Sequence, residues 1–209
     1  DIEDWKFEER LSKEFESMGF FISDHPLNQY KEIFNDYNIN DYQKFNNTDD
    51  LMETNIAATL LKVQERKTAK GNAYAVLKLS DLNSVFELFI FSDILEMNRE
   101  ILKEGSSLIL TLVKSISDGE NRLKRINVQK LTSLKDLLNK PIQEVTFNLK
   151  SLKELEEISK ILQNKGSTLV KIKLSDDNNL FNFQLENRRN IDRKAVNLLR
   201  NREISSIIS

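Results

Sequence analysis

Apolar positions change their period along the chain, and each change marks a new kind of element. In the first stretch they recur every three or four residues. Phe7, Leu11, Phe15 and Met18 predict a helix over residues 4–18 that Gly19 ends. Leu27, Tyr30, Ile33 or Phe34, and Tyr37 predict a second helix, entered through Ser23 or Asp24 and Pro26. Residues 35–50, "NDYNINDYQKFNNTDD", keep no period and are rich in Asn and Asp, so they predict a linker with at most a short turn. From residue 53 to residue 131 the period is two. Strands are predicted over residues 56–66, 72–81, 85–91, 106–117 and 122–131. A helical stretch, "SDILEMNREILKE", capped by Ser92 and closed by Gly105, interrupts them after the third strand. Asp118-Gly119 marks a hairpin turn between the last two. Beyond Pro141 the order becomes strand (144–150), helix (152–163, capped by Ser151), strands (168–174 and 180–185) and helix (191–201). The apolar tail "ISSIIS" is either a last strand or a docking segment.

Three strands, a helix and two strands in about eighty residues is the order of an OB-fold, a partly open five-stranded β-barrel. An SH3-like barrel has no helix of that length there, and a sandwich needs more strands. The last part predicts a small α+β domain with a helix layer on an antiparallel sheet. The expected fold is therefore mixed α and β. A helical segment with a linker occupies 1–50, an OB-fold domain 51–133 and a small α+β domain 134–209.

Charge sharpens this division. Net charge is −2 over the whole chain. Acidic residues outnumber basic ones thirteen to five in residues 1–50, whereas basic residues prevail twelve to ten in 51–131 and fourteen to ten in 132–209. A polyanion would meet the middle or the last part. Cysteine is absent and histidine occurs once, which excludes thiolate and multi-histidine metal sites; no metal or organic cofactor is expected. The acidic start, "DIEDWKFEER", is no secretory leader, and no apolar run is long enough to span a bilayer. These features predict a cytoplasmic chain cut from a longer one.

Two segments carry a resemblance. "LSKEFESMGFFISDHPLNQY", followed by an OB pattern with "TAKG" in its first hairpin, resembles the carboxy-terminal region of the bacterial DNA polymerase III alpha subunit family. That family has a "GFYLSGHPL"-like segment before its OB domain. The matching residues here are Gly19, Phe20, Phe21, Ile22, Ser23, His25, Pro26 and Leu27. In the barrel they are Thr68, Lys70, Gly71, Leu79, Asp81, Glu87 and Phe91. Asp24 and Ser84 stand where the family usually has Gly, and Ala69 where it often has Lys. The resemblance is strong over about residues 3–131 and rests on element order beyond them. It implies a role in holding single-stranded template DNA through the OB domain, and docking of the clamp-loader tau subunit and the rest of the holoenzyme through the terminal domain. The family's polymerase active site lies upstream of this region, so no catalytic residue is expected here.

OB-folds bind single strands on the face of strands two and three and on the 1–2 and 4–5 loops; bases stack on aromatic rings while Lys and Arg follow the phosphates. The candidate contacts are Lys62, Arg66, Lys67, Lys70, Tyr74, Lys78 and Phe89, with Arg122 and Lys124 from the 4–5 hairpin. Phe91 and Val76 belong to the same face, and Glu87 on it opposes phosphate binding. Arg188, Arg189, Ile204, Ile207 and Ile208 are the candidate partner contacts of the terminal domain. His25 lacks an accompanying nucleophile motif and is read as capping or packing before Pro26. The competing function is a protein-interaction barrel that binds no DNA. An anticodon-binding OB domain is a third, but such domains precede a catalytic domain whose motifs do not follow here.

Overall fold

The longest strand changes partners halfway, and the rest of its sheet is arranged around that change. The computed structural model describes residues 7–19, 21–116, 124–176 and 179–208. In chain order they form α1 (Phe7–Met18), a 3-10 turn (Pro26–Tyr30), α2 (Lys31–Phe34), β1 (Ile39–Asn40), α3 (Tyr42–Asn47), β2 (Glu53–Lys67), β3 (Ala73–Ser80), β4 (Val85–Phe91), α4 (Ser92–Asn98), β5 (Ser107–Ile116), β6 (Lys124–Ser133) and α5 (Leu134–Asn139). Then follow β7 (Glu144–Leu149), α6 (Leu152–Ser159), β8 (Lys165–Asp176), β9 (Asn179–Gln184), α7 (Arg193–Arg200) and β10 (Ser205–Ile208). Two compact units result, Asp1–Leu138 and Asn139–Ser209. No helix among the described residues is long and apolar enough to cross a membrane.

In the first unit β2 pairs with β5 over residues 53–59 and with β3 over residues 59–67, both antiparallel. A bulge lies between Leu60 and Lys62. Such an extra residue bends a strand and strengthens its twist. The order is β4-β3-β2-β5-β6, with β1 added in parallel beside β2. The sheet has six strands and is open: no ladder among the described residues joins β4 to β6, although the two approach within 8 Å. Its inner face buries Leu77, Leu79, Phe86, Leu88, Ile90, Leu110 and Leu112 in one core. The first half of β2 has a second covered side. Ala57 and Ile109 pack against Leu27, Tyr30, Ile33, Leu134 and Leu137. Coverage on both faces gives a continuous apolar run in place of alternation, which is why "IAATLL" reads as it does.

Residues 35–50 are not a solvated linker. Phe45 of α3 is fully buried, and Tyr42 stacks on Phe86 at 3.8 Å between ring centroids. Burial of such a ring stabilises by about 1.5–3 kcal/mol. Lysines close the carboxy end of α3. The buried Lys114 Nζ donates to the carbonyls of Phe45 and Thr48 and lies 4.3 Å from the centroid of the Phe45 ring. Burial, and then the neighbouring Lys124 charge, push the Lys114 pKa below the usual lysine range, against the pull of Asp49. A cation at a helix C-terminus is favoured by the helix dipole. The helix after β4 is also shorter than its sequence pattern. It ends at Asn98, its N-cap is Phe91 without a side-chain bond, and Ser92 lies inside it. Asp118, Gly119, Arg122 and Phe20 lie outside the described residues.

The connection before β1 explains the "HPL" segment. Gly19 N–H donates to Phe15 O and ends α1, and Glu14 accepts from the backbone of Ile22 and Ser23. His25 caps the 3-10 turn: its Nδ1 accepts the Leu27 N–H at 3.1 Å, which assigns the ring proton to Nε2, 3.1 Å from Ser80 Oγ. Burial pushes the His25 pKa below the usual histidine range, against the pull of Asp81 and Asp24. Below about pH 6.5 the unfolded chain therefore binds a proton that the folded chain resists, and stability falls as pH drops through that window. The midpoint of urea unfolding is expected to decrease from pH 7 toward pH 5, and His25→Gln to flatten that decrease. An equal slope in the variant would contradict it.

The second unit has the order β10-β7-β8-β9. The expected antiparallel sheet is corrected to a mixed one: β7 and β8 are parallel because α6 crosses between them, while β9 and β10 pair antiparallel. Parallel neighbours need such a crossover, and strand alternation does not encode it. Val145, Phe147, Val170 and Ile172 meet Ile158, Val196 and Leu199 in the core. Gly166 is required by close approach, since a Cβ there would stand 2.4 Å from Asn190 N.

Candidate nucleic-acid interface

Strand register decides which side chains share a face. Arg66 lies opposite Tyr74, and Tyr74 opposite Phe91. The next row is Gln64, Val76 and Phe89, and the third is Lys62, Lys78 and Glu87. Strands about 4.8 Å apart, with same-face residues about 6.8 Å apart along each, make this a patch of nine side chains. It is the face of the sheet opposite the buried core, because β4 buries every second residue and turns Glu87, Phe89 and Phe91 outward. Phe89 is 52% exposed and Phe91 59%, values that leave a ring face open for stacking. Tyr74 sits diagonally beside Phe89, with centroids 6.4 Å apart.

The hairpin tip extends the patch. Thr68 N–H donates to Asn72 O, Gly71 N–H to Thr68 O, and Asn72 N–H to Thr68 Oγ1. Gly71 has φ +84°, a conformation that favours glycine. Lys67 and Lys70 project from this tight loop and are exposed. Arg66 Nη2 donates to Gln64 Oε1 at 2.9 Å, which lays the guanidinium along the patch. Gln64 is absent from the sequence-based set, although the period from Lys62 to Arg66 places it on the same face.

Lys124 comes near this patch but is committed elsewhere. Its Nζ donates to Asn46 O at 2.6 Å and pairs with Asp49 at 2.9 Å. It also lines a pocket of about 290 Å³ with Tyr42, Glu87 and Phe89. Arg122 lies outside the described residues.

In the second unit the candidate partner contacts separate. Ile204 is 2% exposed and Ile208 half-buried, and both pack on their own core, whereas Ile207 is 58% exposed. Pairing of β10 with β7 produces this alternation. Arg188 donates to Ser167 O at 2.8 Å and Arg189 bridges to Lys165 and Thr168 through its backbone. These arginines therefore staple a loop to β8 and do not belong to α7.

No family model matches the chain. Curated relatives do. The DNA polymerase III alpha subunit of Rickettsia conorii is 33% identical over 151 residues, 71% of this chain and 12% of the relative. That of Rickettsia bellii is 33% identical over 171 residues, 78% of this chain and 14% of the relative. The chain is homologous to a region of the DNA polymerase III alpha subunit. The alpha subunit of Halalkalibacterium halodurans, 26% identical over 161 residues, extends the relationship beyond one genus. The chain spans only 12–14% of the length of these alpha subunits, the same family that "GFFISDHPL" and "TAKG" resemble.

Proposed function

We propose that this alpha-subunit homologue serves DNA replication by holding single-stranded template DNA on the β2–β3–β4 face. The observation that carries the reading is the pairing of two open phenylalanine rings, Phe89 and Phe91, with Lys62, Arg66 and Lys78 on one face and Lys67 and Lys70 at its tip. Rings stack bases without regard to sequence, and the cations neutralise phosphates. The role is to position the strand, not to transfer nucleotides.

Residues 51–133 act as an OB-fold domain, with β1 as an added strand. Strand order, the bulge that bends β2 and the approach of β4 to β6 support this. Residues 1–50 brace it, and residues 134–209 dock the clamp-loader tau subunit or other holoenzyme subunits, with Ile207 the available residue of the tail. The setting is the cytoplasm. Glu87, directly across from Lys78, favours one second reading, a protein-interaction face that binds no DNA.

Anisotropy of labelled oligo-dT separates the two. DNA binding predicts an affinity that falls with salt, and a Lys67→Ala/Lys70→Ala variant whose slope of log K against log salt is shallower by about 1.4, about 0.7 for each lost phosphate contact. No binding at low salt leaves the protein-interaction reading.

A further inference from the structure

We propose that the bound single strand does not end at the edge of the β2–β3–β4 face but continues into the groove beside α1, where Lys62, Lys103 and Lys135 hold its phosphates. This rests on the function proposed above and adds a second contact region to it. The groove has a volume of about 890 Å³, within the range of sites that take small organic molecules. Its lining brings Phe15, Phe21, Tyr30 and Leu61 together with the three lysines. Ser106 and Ser133 also line it. Rings beside ammonium groups and hydroxyls are the complement of a nucleoside phosphate, which has a flat base and an anionic backbone.

Continuity comes from Lys62. It stands opposite Lys78 in the third row of the face and also lines the groove. The bulge between Leu60 and Lys62 puts Leu61 and Lys62 just past Thr59, where β2 changes partners. There the β5 side closes over the strand through Leu60 N–H to Ser106 O at 2.8 Å and Gly105 N–H to Leu60 O at 2.7 Å. This turn brings Lys103 to the groove beside the end of the face. Lys62, Lys103 and Lys135 are all exposed, and among the described residues none of them makes an ion pair. Two carboxylates also border the groove, Glu16 and Glu104; Glu16 lies 3.9 Å from Lys13. The sequence places Lys103 in a helical stretch and Lys135 beyond the last strand, so neither spacing pointed to a shared site.

The test uses the full chain with oligo-dT of about 4 and about 12 nucleotides, spanning the footprints of single-strand sites. The longer strand is expected to bind with the steeper salt dependence. In Lys103→Ala/Lys135→Ala its slope drops by about 1.4 and that of the shorter strand is unchanged. On the unaltered protein, acetylation of Lys103 and Lys135 read by mass spectrometry is expected to be blocked by the longer strand and not by the shorter. Equal behaviour of both strands, or acetylation unaffected by the longer one, overturns the groove while leaving the face intact. Protection by thymidine monophosphate alone, at concentrations where the short strand saturates the face, also overturns it, because the groove is then a free-nucleotide site. Failure of both strands to bind removes the face reading and the groove with it.

Discussion

Phe89→Ala is expected to weaken oligo-dT binding by about 1–3 kcal/mol, roughly 5- to 150-fold, the loss associated with one stacked base. The ring is 52% exposed, in the middle row of the patch between Val76 and the Lys124 pocket, with Tyr74 diagonally beside it. Little of it is buried in the core, so the variant keeps its fold and its thermal midpoint stays near that of the parent. Met97→Ala supplies the control. Met97 is 73% exposed on α4, outside the three rows, and its removal is expected to leave affinity unchanged. Glu87→Gln removes the one carboxylate in the three rows and is expected to tighten binding, most clearly at low salt where phosphate repulsion is least screened. Equal loss from Met97→Ala and Phe89→Ala would indicate nonspecific adhesion of exposed apolar surface. No loss from Phe89→Ala or Phe91→Ala removes stacking from the account.

The three-row face is the part most legible in the sequence. Strict alternation in "VFELFIF" and in "AYAVLKL" assigns both sides of β3 and β4, and register then follows from a short turn. Where two layers cover a strand, the signal fades: Ala57 and Ile109 are buried on the side opposite Leu110, so β2 and β5 read as uniform runs. Residues 35–50 carry a different difficulty. The helix α3 has a single fully buried apolar anchor, Phe45, and beyond its local cap Asp41 the groups that hold its ends, Asp81 just past β3 and Lys114 of β5, lie far along the chain. A six-residue helix without them has no periodicity to detect. Lys124 looks like an ordinary loop cation in sequence, and only the fold reveals Asn46 O and Asp49 beside it. The parallel pairing of β7 with β8 is likewise a property of the crossover, not of either strand.

Asp81→Ala is expected to destabilise the first unit by about 3 kcal/mol, measured as a lower urea midpoint with an unchanged m-value. This carboxylate is 5% exposed and ties two elements together. Its Oδ1 accepts from Asn83 N–H at 2.9 Å, Ser84 N–H at 2.6 Å and Ser84 Oγ at 3.0 Å, which shapes the turn between β3 and β4. Its Oδ2 accepts from Tyr42 N–H at 3.0 Å, an otherwise open donor at the start of α3. Truncation to alanine removes the shared acceptor of four donors at a part-buried site, and hydrogen bonds to a charged acceptor are the stronger kind. Asn would restore one acceptor but turn a second donor toward N–H groups, so Asp81→Asn recovers only part of the loss. Asp41→Ala is the comparison. Asp41 also caps α3, through Lys44 N–H at 2.9 Å, but it is only half-buried, and the cost of losing it is about 1 kcal/mol. Hydrogen exchange distinguishes the two: Asp81→Ala exposes the amides of Tyr42, Asn83 and Ser84, whereas Asp41→Ala exposes those of Gln43 and Lys44. If the Asp81 variant unfolds at the parent's midpoint, the turn and α3 are held by packing of Phe45 and Tyr42, and the carboxylate is dispensable.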